Sequence, residues 1–243
     1  MKPWRKQFGI WVTDRPLSDD RGFIAPAIVG ALAGSRRRSS GGGGPSYITS
    51  TNKGGRDTFT TTAIDTSGAT LIVLGLAWFG GATEPTISDS QSNTWSNLTL
   101  GNANYPYVRL KYCLAPSTSA SHTITSTHTN AYLGLTVAAF SGVTTYDSVE
   151  NGGVQNSGTT LSTGSVTPSQ NNALIVTHLG MAGGAQTPSI DTGFTIATHL
   201  AGSSGIWYGC DLAYLILATA AAKNPQWSWS SSASCLTRIA VFR

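Results

Sequence analysis

The stretch LIVLGLAWFGGATEPTISD, residues 71–89, decides the fold because the chain comes back to its pattern once. Residues 174–191 read LIVTHLGMAGGAQTPSID, with Leu-Ile-Val, Gly-Gly-Ala, Pro-x-Ile and Asp in the same order. Leu71 and Leu174 are 103 positions apart (174 − 71 = 103), as are the two Pro-x-Ile triplets. This constant offset predicts a body made of two related halves. Each copy opens with a nearly continuous apolar run, which is typical of a strand buried on both faces.

Strand patterns extend from these two copies across most of the chain. Short segments rich in β-branched and aromatic residues alternate with turns of Gly, Pro, Asn and Ser, as in a β-sandwich. Residues 146–158 are predicted to be the loop between the halves, and the Ala/Leu-rich residues 212–223 to be strand and then turn. The predicted strands are 58–64, 71–79, 94–98, 108–114, 122–127, 131–141, 160–166, 173–181, 194–200, 209–217, 226–230 and 235–242.

We therefore predict an all-β fold over residues 47–243, a double-sheet, jelly-roll-like β-sandwich in which both halves contribute strands to both sheets. Two tandem sandwiches are the alternative. A chain of 243 residues is long enough for either arrangement. The single sandwich is favoured because no linker-like composition separates the halves.

The N-terminal part of the chain differs from this body in charge. Residues 1–45 contain eight Lys and Arg against three Asp, a net charge of +5. The remaining seven basic (15 − 8) and eight acidic (11 − 3) residues give the body a net charge of −1. The high sequence pI of about 9.1 is therefore due to residues 1–45, which we call the leader. Because the body has no basic face to offer, the sequence argues against nucleic-acid binding.

Residues 1–38 are predicted to be an anchor that docks on a partner surface and orders when bound. Its apolar run, residues 23–34, is too short to cross a bilayer as a helix. A signal peptide is the alternative, although the run starts late and follows the acidic Asp19-Asp20 pair. Residues 39–46, SSGGGGPS, are predicted to be a flexible linker. The side chains expected to dock are Trp4, Phe8, Trp11, Phe23, Ile24, Ile28, Val29 and Leu32.

Several motifs carry a resemblance to a known kind of domain. A buried apolar strand is followed by Pro-Thr-x-x-Asp and Asn-x-Trp in residues 71–95, by a Tyr-x-x-Ala strand in residues 108–126, and by Ala-Phe-Ser-Gly-Val in residues 133–143. The second half repeats parts of this order in residues 171–180 and 193–200. The pattern resembles a β-sandwich domain of phage structural proteins and of bacterial secreted or surface proteins. The resemblance covers residues 47–243 and implies an adhesive or particle-decorating module without catalytic residues. The leader has no counterpart there and resembles the anchor peptides of phage fibres and spikes.

The histidines and recurring acids are predicted to be structural. His122 and His128 would share one face of a strand and are expected to face solvent rather than bind a metal. His178 lies in the buried-strand repeat and is expected to be a core or edge histidine with its hydrogen bonds satisfied. Asp89 and Asp191 follow Pro-x-Ile in both copies, so they are expected to cap loop backbones rather than serve as catalytic carboxylates or calcium ligands.

No pattern of a catalytic or cofactor site emerges from the sequence. Gly-x-Ser-x-Gly is absent, and the glycine run near residue 41 lacks the Lys-Ser/Thr of a phosphate loop. Asp147 and Glu150 could bind calcium, but a structural role is favoured. We therefore predict no enzyme, no cofactor and no metal. The cysteines have unrelated spacings and are expected to be buried free thiols: Cys113, Cys210 and Cys235.

Aromatic side chains beside predicted loops are the best candidates for contacts with a ligand or partner. Exposed Trp and Tyr rings stack on sugars and anchor protein interfaces. The alternative is that these rings close the ends of the sandwich. The candidates are Trp95, Tyr105, Tyr107, Trp207, Tyr208, Trp227 and Trp229.

These observations predict a non-enzymatic bacteriophage virion protein, namely a fibre, a spike or a head or tail decoration. The anchor would bind other virion proteins, and the sandwich would be displayed as a homo-oligomer, a trimer being expected, with a host glycan as a further partner. Charged residues make up only 11% of the chain, and building a charge-poor surface into an assembly limits its non-specific association. The alternative is a secreted bacterial surface module that binds glycans. A polysaccharide hydrolase would need two facing carboxylates that the sequence does not reveal.

Overall fold

The chain divides into two compact units, residues 1–39 and 40–243. In the first unit, β1 (Arg5–Gln7) and β2 (Ile10–Val12) form an antiparallel pair. Trp11 lies in β2, whereas the other predicted docking residues lie outside the described part of the chain. The computed structural model describes residues 5–7, 10–12, 43–79, 83–101, 106–183, 185–191, 193–202 and 208–243.

The second unit is an all-β sandwich of two antiparallel sheets, as predicted. The first sheet consists of β3 (Ser46–Thr60), β4 (Leu71–Phe79), β5 (Thr86–Asp89), β6 (Ser96–Asn97), β7 (Tyr107–Leu114) and β8 (Ile124–Ser141). The second sheet consists of β9 (Tyr146–Ser162), β10 (Ala173–Ala182), β11 (Ser189–Ile190), β12 (Thr195–Leu200), β13 (Tyr208–Leu217) and β14 (Gln226–Phe242).

Each half of the body forms one complete sheet, so the expectation that both halves contribute to both sheets is wrong. The pairing pattern is the same in each half. The last strand pairs with the first three strands of its own half, and the fifth pairs with the second and fourth. Strands joined by short connections tend to pair with each other, which keeps each half together in one sheet.

The predicted loop at residues 146–158 is also wrong, because it belongs to the long edge strand β9. The glycines of this segment allow close backbone approach. A Cβ built on Gly153 would lie 2.1 Å from the carbonyl oxygen of Ser162. Residues 212–223 follow the prediction, since β13 ends at residue 217 and no helix follows in this segment.

The central strands β4 and β10 are buried on both faces, which explains their continuous apolar sequence. In β4, Leu71 and Val73 pack in the cluster between the two sheets. Ile72 and Leu74 point to the opposite, outer face of the first sheet and pack in a separate cluster. The residues of β10 alternate in the same way. Between the sheets, β13 lies over β4 and β8, and β12 lies over β3 and β8.

The outer face of the first sheet is covered by segments of its own half. Phe59, Ile64, Ile87 and Ile124 pack against the outer side chains of the sheet. Ile64 also forms a backbone bridge with His122, which ties the two covering segments together. This cover gives the first sheet a hydrophobic core on each side.

His122 is buried in this cover, so the expectation that it faces solvent is wrong. Its Nδ1 atom lies 3.0 Å from the Thr66 hydroxyl, and its Nε2 atom lies 3.3 Å from a carboxylate oxygen of Asp89. Strand periodicity places side chains on faces, but it does not show that another segment covers the face. His128 is half-buried at the surface.

His178 is a core histidine that joins the two sheets, as predicted. It lies on β10, and its ring nitrogens are 2.9 Å from the carbonyl oxygen of Asp211 and 3.0 Å from that of Leu76. The ring occupies the space beside Gly75 of β4, where a Cβ would lie 2.3 Å from Nδ1. Burial lowers the pKa of His178 to about 4, although the two carbonyl contacts oppose this shift. The imidazole is therefore neutral at pH 7 and donates to one of the carbonyls.

Two aromatic triads close one end of the interface between the sheets. Each triad combines residues of both halves. In the first, the rings of Tyr47 and Tyr214 stack with centroids 5.2 Å apart, and Phe140 meets Tyr214 edge-on. The second consists of Tyr112, Tyr146 and Phe242, with ring centroids between 5.3 and 5.6 Å apart. Such offset and edge-on pairs stabilise the interface beyond the area that they bury.

The three cysteines are free and buried, as predicted. Burial raises the pKa of Cys210, and it raises that of Cys235 to about 12, so both are held as thiols. Within the described ranges, no group of three or more His, Cys, Asp or Glu side chains is placed to hold a metal ion. The same part of the chain contains no helix long and apolar enough to cross a membrane.

The close approach at Gly75 gives a first prediction. Gly75→Ala should lower the free energy of unfolding by roughly 3 kcal/mol, because the new methyl group meets a ring that two carbonyls hold in place. Urea unfolding followed by tryptophan fluorescence measures the change. Gly209→Ala is the matched control in β13, where the nearest atom to a Cβ is 3.4 Å away. A control variant that is as unstable as Gly75→Ala would contradict the explanation.

The buried imidazole gives a second prediction. His178 in the unfolded chain takes up a proton near pH 6.5, whereas the folded protein resists protonation down to about pH 4. Stability should therefore fall as the pH drops from 6.5 to 4, by up to about 3 kcal/mol from this group. Urea unfolding at several pH values measures the slope, and His178→Gln should flatten it. Equal slopes for the two proteins over this range would show that His178 does not contribute.

Candidate functional site

The outer cover of the first sheet contains a three-stranded patch with hydroxyl side chains in register. The end of β3 and the end of β5 both pair with the start of β8. Thr127 of β8 is opposite Thr58 on one side and Thr86 on the other. Two residues further along each strand, a second row consists of Thr60, Thr125 and Ser88. Neighbouring strands lie about 4.8 Å apart, so the hydroxyls form closely spaced rows.

Alternation along the strands points these hydroxyl groups outward. The intervening row of Phe59, Ser126 and Ile87 faces the core, where Ser126 is fully buried. The outward residues of the two hydroxyl rows are exposed or half-buried. Threonine is favoured in strands by its β-branched side chain, so this sequence combines stable pairing with a polar outer face. We call the six outward residues of these two rows the threonine face.

A cavity of about 340 Å³ opens at one end of the threonine face. Two residues of the face, Thr86 and Thr127, belong to its wall. The hydroxyls of its four threonines make no hydrogen bond among the described residues and are exposed. The cavity is lined by Thr83, Glu84, Thr86, Thr127, His128 and Thr129. Each free hydroxyl can donate one hydrogen bond and accept two.

Glu84 brings a carboxylate to the cavity, and two cations of β7 compensate its charge. One oxygen lies 2.8 Å from Nη2 of Arg109, and the other lies 2.5 Å from Nζ of Lys111. Both cations are also held by carbonyl groups, since Lys111 donates to the Asn97 side chain and Arg109 to the Leu98 backbone. All three charged side chains are largely buried, which fixes Glu84 in the wall. The lining therefore presents hydroxyls and one carboxylate, whose charge is compensated by two cations outside the lining.

His128 fixes the opposite wall. Its Nε2 atom lies 2.8 Å from the carbonyl oxygen of Thr83, and its Nδ1 atom lies 2.8 Å from that of Thr129. The imidazole thus joins the segment before β5 to the start of β8, and it holds the threonines of both segments at the cavity. The walls are therefore built before any ligand arrives, which reduces the ordering cost of binding.

Asp89 holds the hairpin that follows β5, as its predicted capping role requires. One carboxylate oxygen accepts hydrogen bonds from the backbone N–H groups of Gln91 and Asn93 and from the Asn93 side chain. The other oxygen accepts from Nε1 of Trp95 at 3.0 Å. The Asp, Asn and Trp of the sequence motif therefore form one hydrogen-bonded unit beneath the threonine face.

The other acids also bind protein groups. Asp191 accepts a hydrogen bond from the backbone N–H of Gln226, across strands rather than within its own loop. Asp147 binds Ser169 and Arg243, and Glu150 binds the backbone and hydroxyl of Thr99. These contacts support the structural interpretation of each acid over the calcium and catalytic alternatives.

Most of the predicted aromatic contacts that the structure describes pack inside it. Trp227 and Trp229 are buried, and their indole N–H groups donate to the Thr177 hydroxyl and the Gly158 carbonyl. Tyr208 is buried with its ring against Phe79. As they lie in the structure, these three rings offer no face to a ligand, and their alternative role in packing holds.

The remaining aromatic candidates differ in placement. Trp95 is half-buried, bonded to Asp89 and packed on the outer cluster of the first sheet. Tyr107 is half-buried and stacks on Trp78 with ring centroids 5.4 Å apart. Tyr105 and Trp207 lie outside the described residues. None of the described aromatic candidates lines the cavity at the threonine face.

The threonine face has a signal in the sequence, which the aromatic candidates do not share. TFTTT at residues 58–62 and THT at residues 127–129 place threonines at alternate positions. Alternation predicts that they share a face, but not that residues 58, 86 and 127 meet in one row.

Comparison with known proteins returns no relative. No family model matches the chain, and no curated protein or solved structure matches it. The resemblance stated from sequence motifs therefore rests on those motifs, together with the all-β sandwich that they implied.

The Asp89 unit gives a third prediction. Asp89→Ala should lower the free energy of unfolding by about 2–4 kcal/mol, because buried N–H donors lose their acceptor. Asp65→Ala is the matched control, since Asp65 caps only the exposed backbone N–H of Ser67 and should cost less than about 1 kcal/mol. Thermal and urea unfolding measure both variants. Similar losses of unfolding free energy in the two variants would show that the Asp89 network stabilises the protein no more than an ordinary turn cap does.

Proposed function

We propose that this protein is a structural component of a bacteriophage particle, a fibre, spike or decoration protein. Its N-terminal segment docks to the particle, and its β-sandwich is displayed. The protein acts as a homo-oligomer and has no catalytic role. The proposal assigns attachment to residues 1–38 and contact with the surroundings to the outer faces of the sandwich.

The division of the chain carries this proposal. The chain divides into two units, residues 1–39 and residues 40–243. The positive charge is concentrated in the leader, at +5 over residues 1–45 against −1 over the remainder. A cationic, partly apolar leader suits docking on a partner surface, and a nearly neutral sandwich suits exposure to many surroundings. The carboxylates of the sandwich are engaged in structural contacts, which agrees with a role in binding rather than catalysis.

An exported surface module that binds glycans is the second candidate. The hydroxyl-lined cavity at the threonine face is the observation that favours it. The two candidates differ in the fate of the leader. Export predicts cleavage near Gly34, whereas docking requires an intact leader.

Removal of the leader gives a fourth prediction. A chain that begins at residue 39 should fold but should no longer sediment with particles, because the docking surface is gone. Particles assembled with a tagged full-length chain or with the truncated chain are compared by density-gradient centrifugation and immunoblotting. Circular dichroism of the purified truncated chain checks that the sandwich has formed.

The control keeps the leader and changes only apolar residues of its 23–34 run. Replacing Ile24, Ile28 and Leu32 by Ser should reduce incorporation, whereas replacing Ser39 and Ser40 by Ala should not. Normal incorporation of the truncated chain would rule out docking through the leader. Mass spectrometry of the mature N-terminus separates the candidates, since a start at residue 1 or 2 agrees with the virion and a start near residue 35 with export.

A further inference from the structure

We propose that the cavity at the threonine face is a binding site for a neutral saccharide. This inference deepens the proposed function and rests on it for its biological purpose, since it names what the displayed sandwich contacts. It concerns the residues of the cavity wall and the hydroxyl row that continues from it.

The hydrogen-bonding groups of the cavity match those of a sugar. The hydroxyls of Thr83, Thr86, Thr127 and Thr129 are exposed at the cavity and make no hydrogen bond among the described residues. A sugar hydroxyl, like a threonine hydroxyl, both donates and accepts, so the two pair in either direction. The Glu84 carboxylate can add an acceptor only through the oxygen that pairs with Arg109, because the oxygen that pairs with Lys111 is buried.

The charged groups at the cavity disfavour ionic ligands. The cavity lining contains the Glu84 carboxylate but neither Arg109 nor Lys111, so an anion in the cavity would meet a carboxylate and no cation that could bind it. A cation would compete with Arg109 and Lys111, which already hold both oxygens of that carboxylate. A neutral polyhydroxylated molecule meets neither difficulty, because it needs only hydrogen-bond partners.

The size and the surroundings of the cavity fit a short oligosaccharide. A volume of about 340 Å³ lies at the lower end of the range for small-molecule sites, which is roughly 300–1,000 Å³. Thr86 and Thr127 belong both to the cavity and to the row that ends at Thr58. A saccharide longer than the cavity can therefore continue along this row. There the threonine methyl groups offer small apolar contacts between the hydroxyls.

The wall is also rigid enough to be selective. Glu84 is held by two cations, and the His128 ring spans the backbones of Thr83 and Thr129. Thr86 and Thr127 are fixed by strand pairing. Because the polar groups are already in place, a ligand gains hydrogen bonds without ordering a loop.

The test removes hydroxyls without changing side-chain shape. The full-length chain is titrated with four neutral trisaccharides, maltotriose, cellotriose, mannotriose and triacetylchitotriose, and with 3′-sialyllactose as an anionic comparator. Saturation-transfer NMR detects binding, and calorimetry measures affinity. At least one neutral trisaccharide should bind, and the Thr86→Val/Thr127→Val variant should bind it at least tenfold more weakly. Sialyllactose should not bind.

Two single variants are matched controls. Thr159→Val and Thr160→Val each remove an exposed hydroxyl from β9 of the second sheet, away from the cavity and its hydroxyl row. Both should retain the affinity of the unmodified chain to within about twofold. Valine keeps the β-branched shape, so all variants should unfold at the same temperature as the unmodified chain.

The inference is overturned if none of the neutral trisaccharides binds at about 5 mM, where a ligand with a millimolar dissociation constant would be detected. It is also overturned if the double variant binds as well as the controls, or if only sialyllactose binds. Incorporation into particles is measured separately with the double variant. Loss of saccharide binding with normal incorporation separates this site from the docking role of the leader.

Discussion

The two central strands, β4 and β10, are buried on both faces, and the sheets that contain them approach too closely for ordinary side chains at some positions. A Cβ built on Gly75, Gly180 or Gly134 would lie 2.3, 2.3 or 2.9 Å from its nearest neighbour. These positions let the sheets meet, and the polar His178 fits between them with its ring nitrogens 2.9 and 3.0 Å from carbonyl oxygens of the two halves. The rest of the fold follows from this contact, because it sets the face that each strand presents.

The same constraint decides what becomes the surface. Once the inner faces of the sheets are joined, each outer face still carries large apolar side chains and has to be covered. In the first half, residues 58–69, 86–89 and 122–127 provide that cover. The outward side of the cover is the threonine face. Strand pairing holds its backbone in place, and its outward side chains do not have to fit a packed core. A site for a ligand can be built there without weakening the core.

Charge is used sparingly in the sandwich, and mostly inside contacts. Glu84 is held by two cations, Asp147 by Arg243 and Ser169, and Asp211 by His199. The surface that remains is rich in Ser and Thr, which hydrate well and bind by hydrogen bonds rather than by long-range attraction.

The amino-acid sequence by itself determined the all-β class, most strands and the double burial of β4 and β10. These features can be read from the sequence without knowledge of tertiary contacts, because they rest on local or additive properties. The properties are the alternation of side chains, the apolar runs, the composition and the 103-residue offset. Only the tertiary structure decided which strands share a sheet, that His122 and Trp227 are buried, and that Thr58, Thr86 and Thr127 stand in one row. Each of these depends on contacts between residues far apart in the chain. Periodicity shows which side chains share a face of a strand, but what covers that face is set by packing.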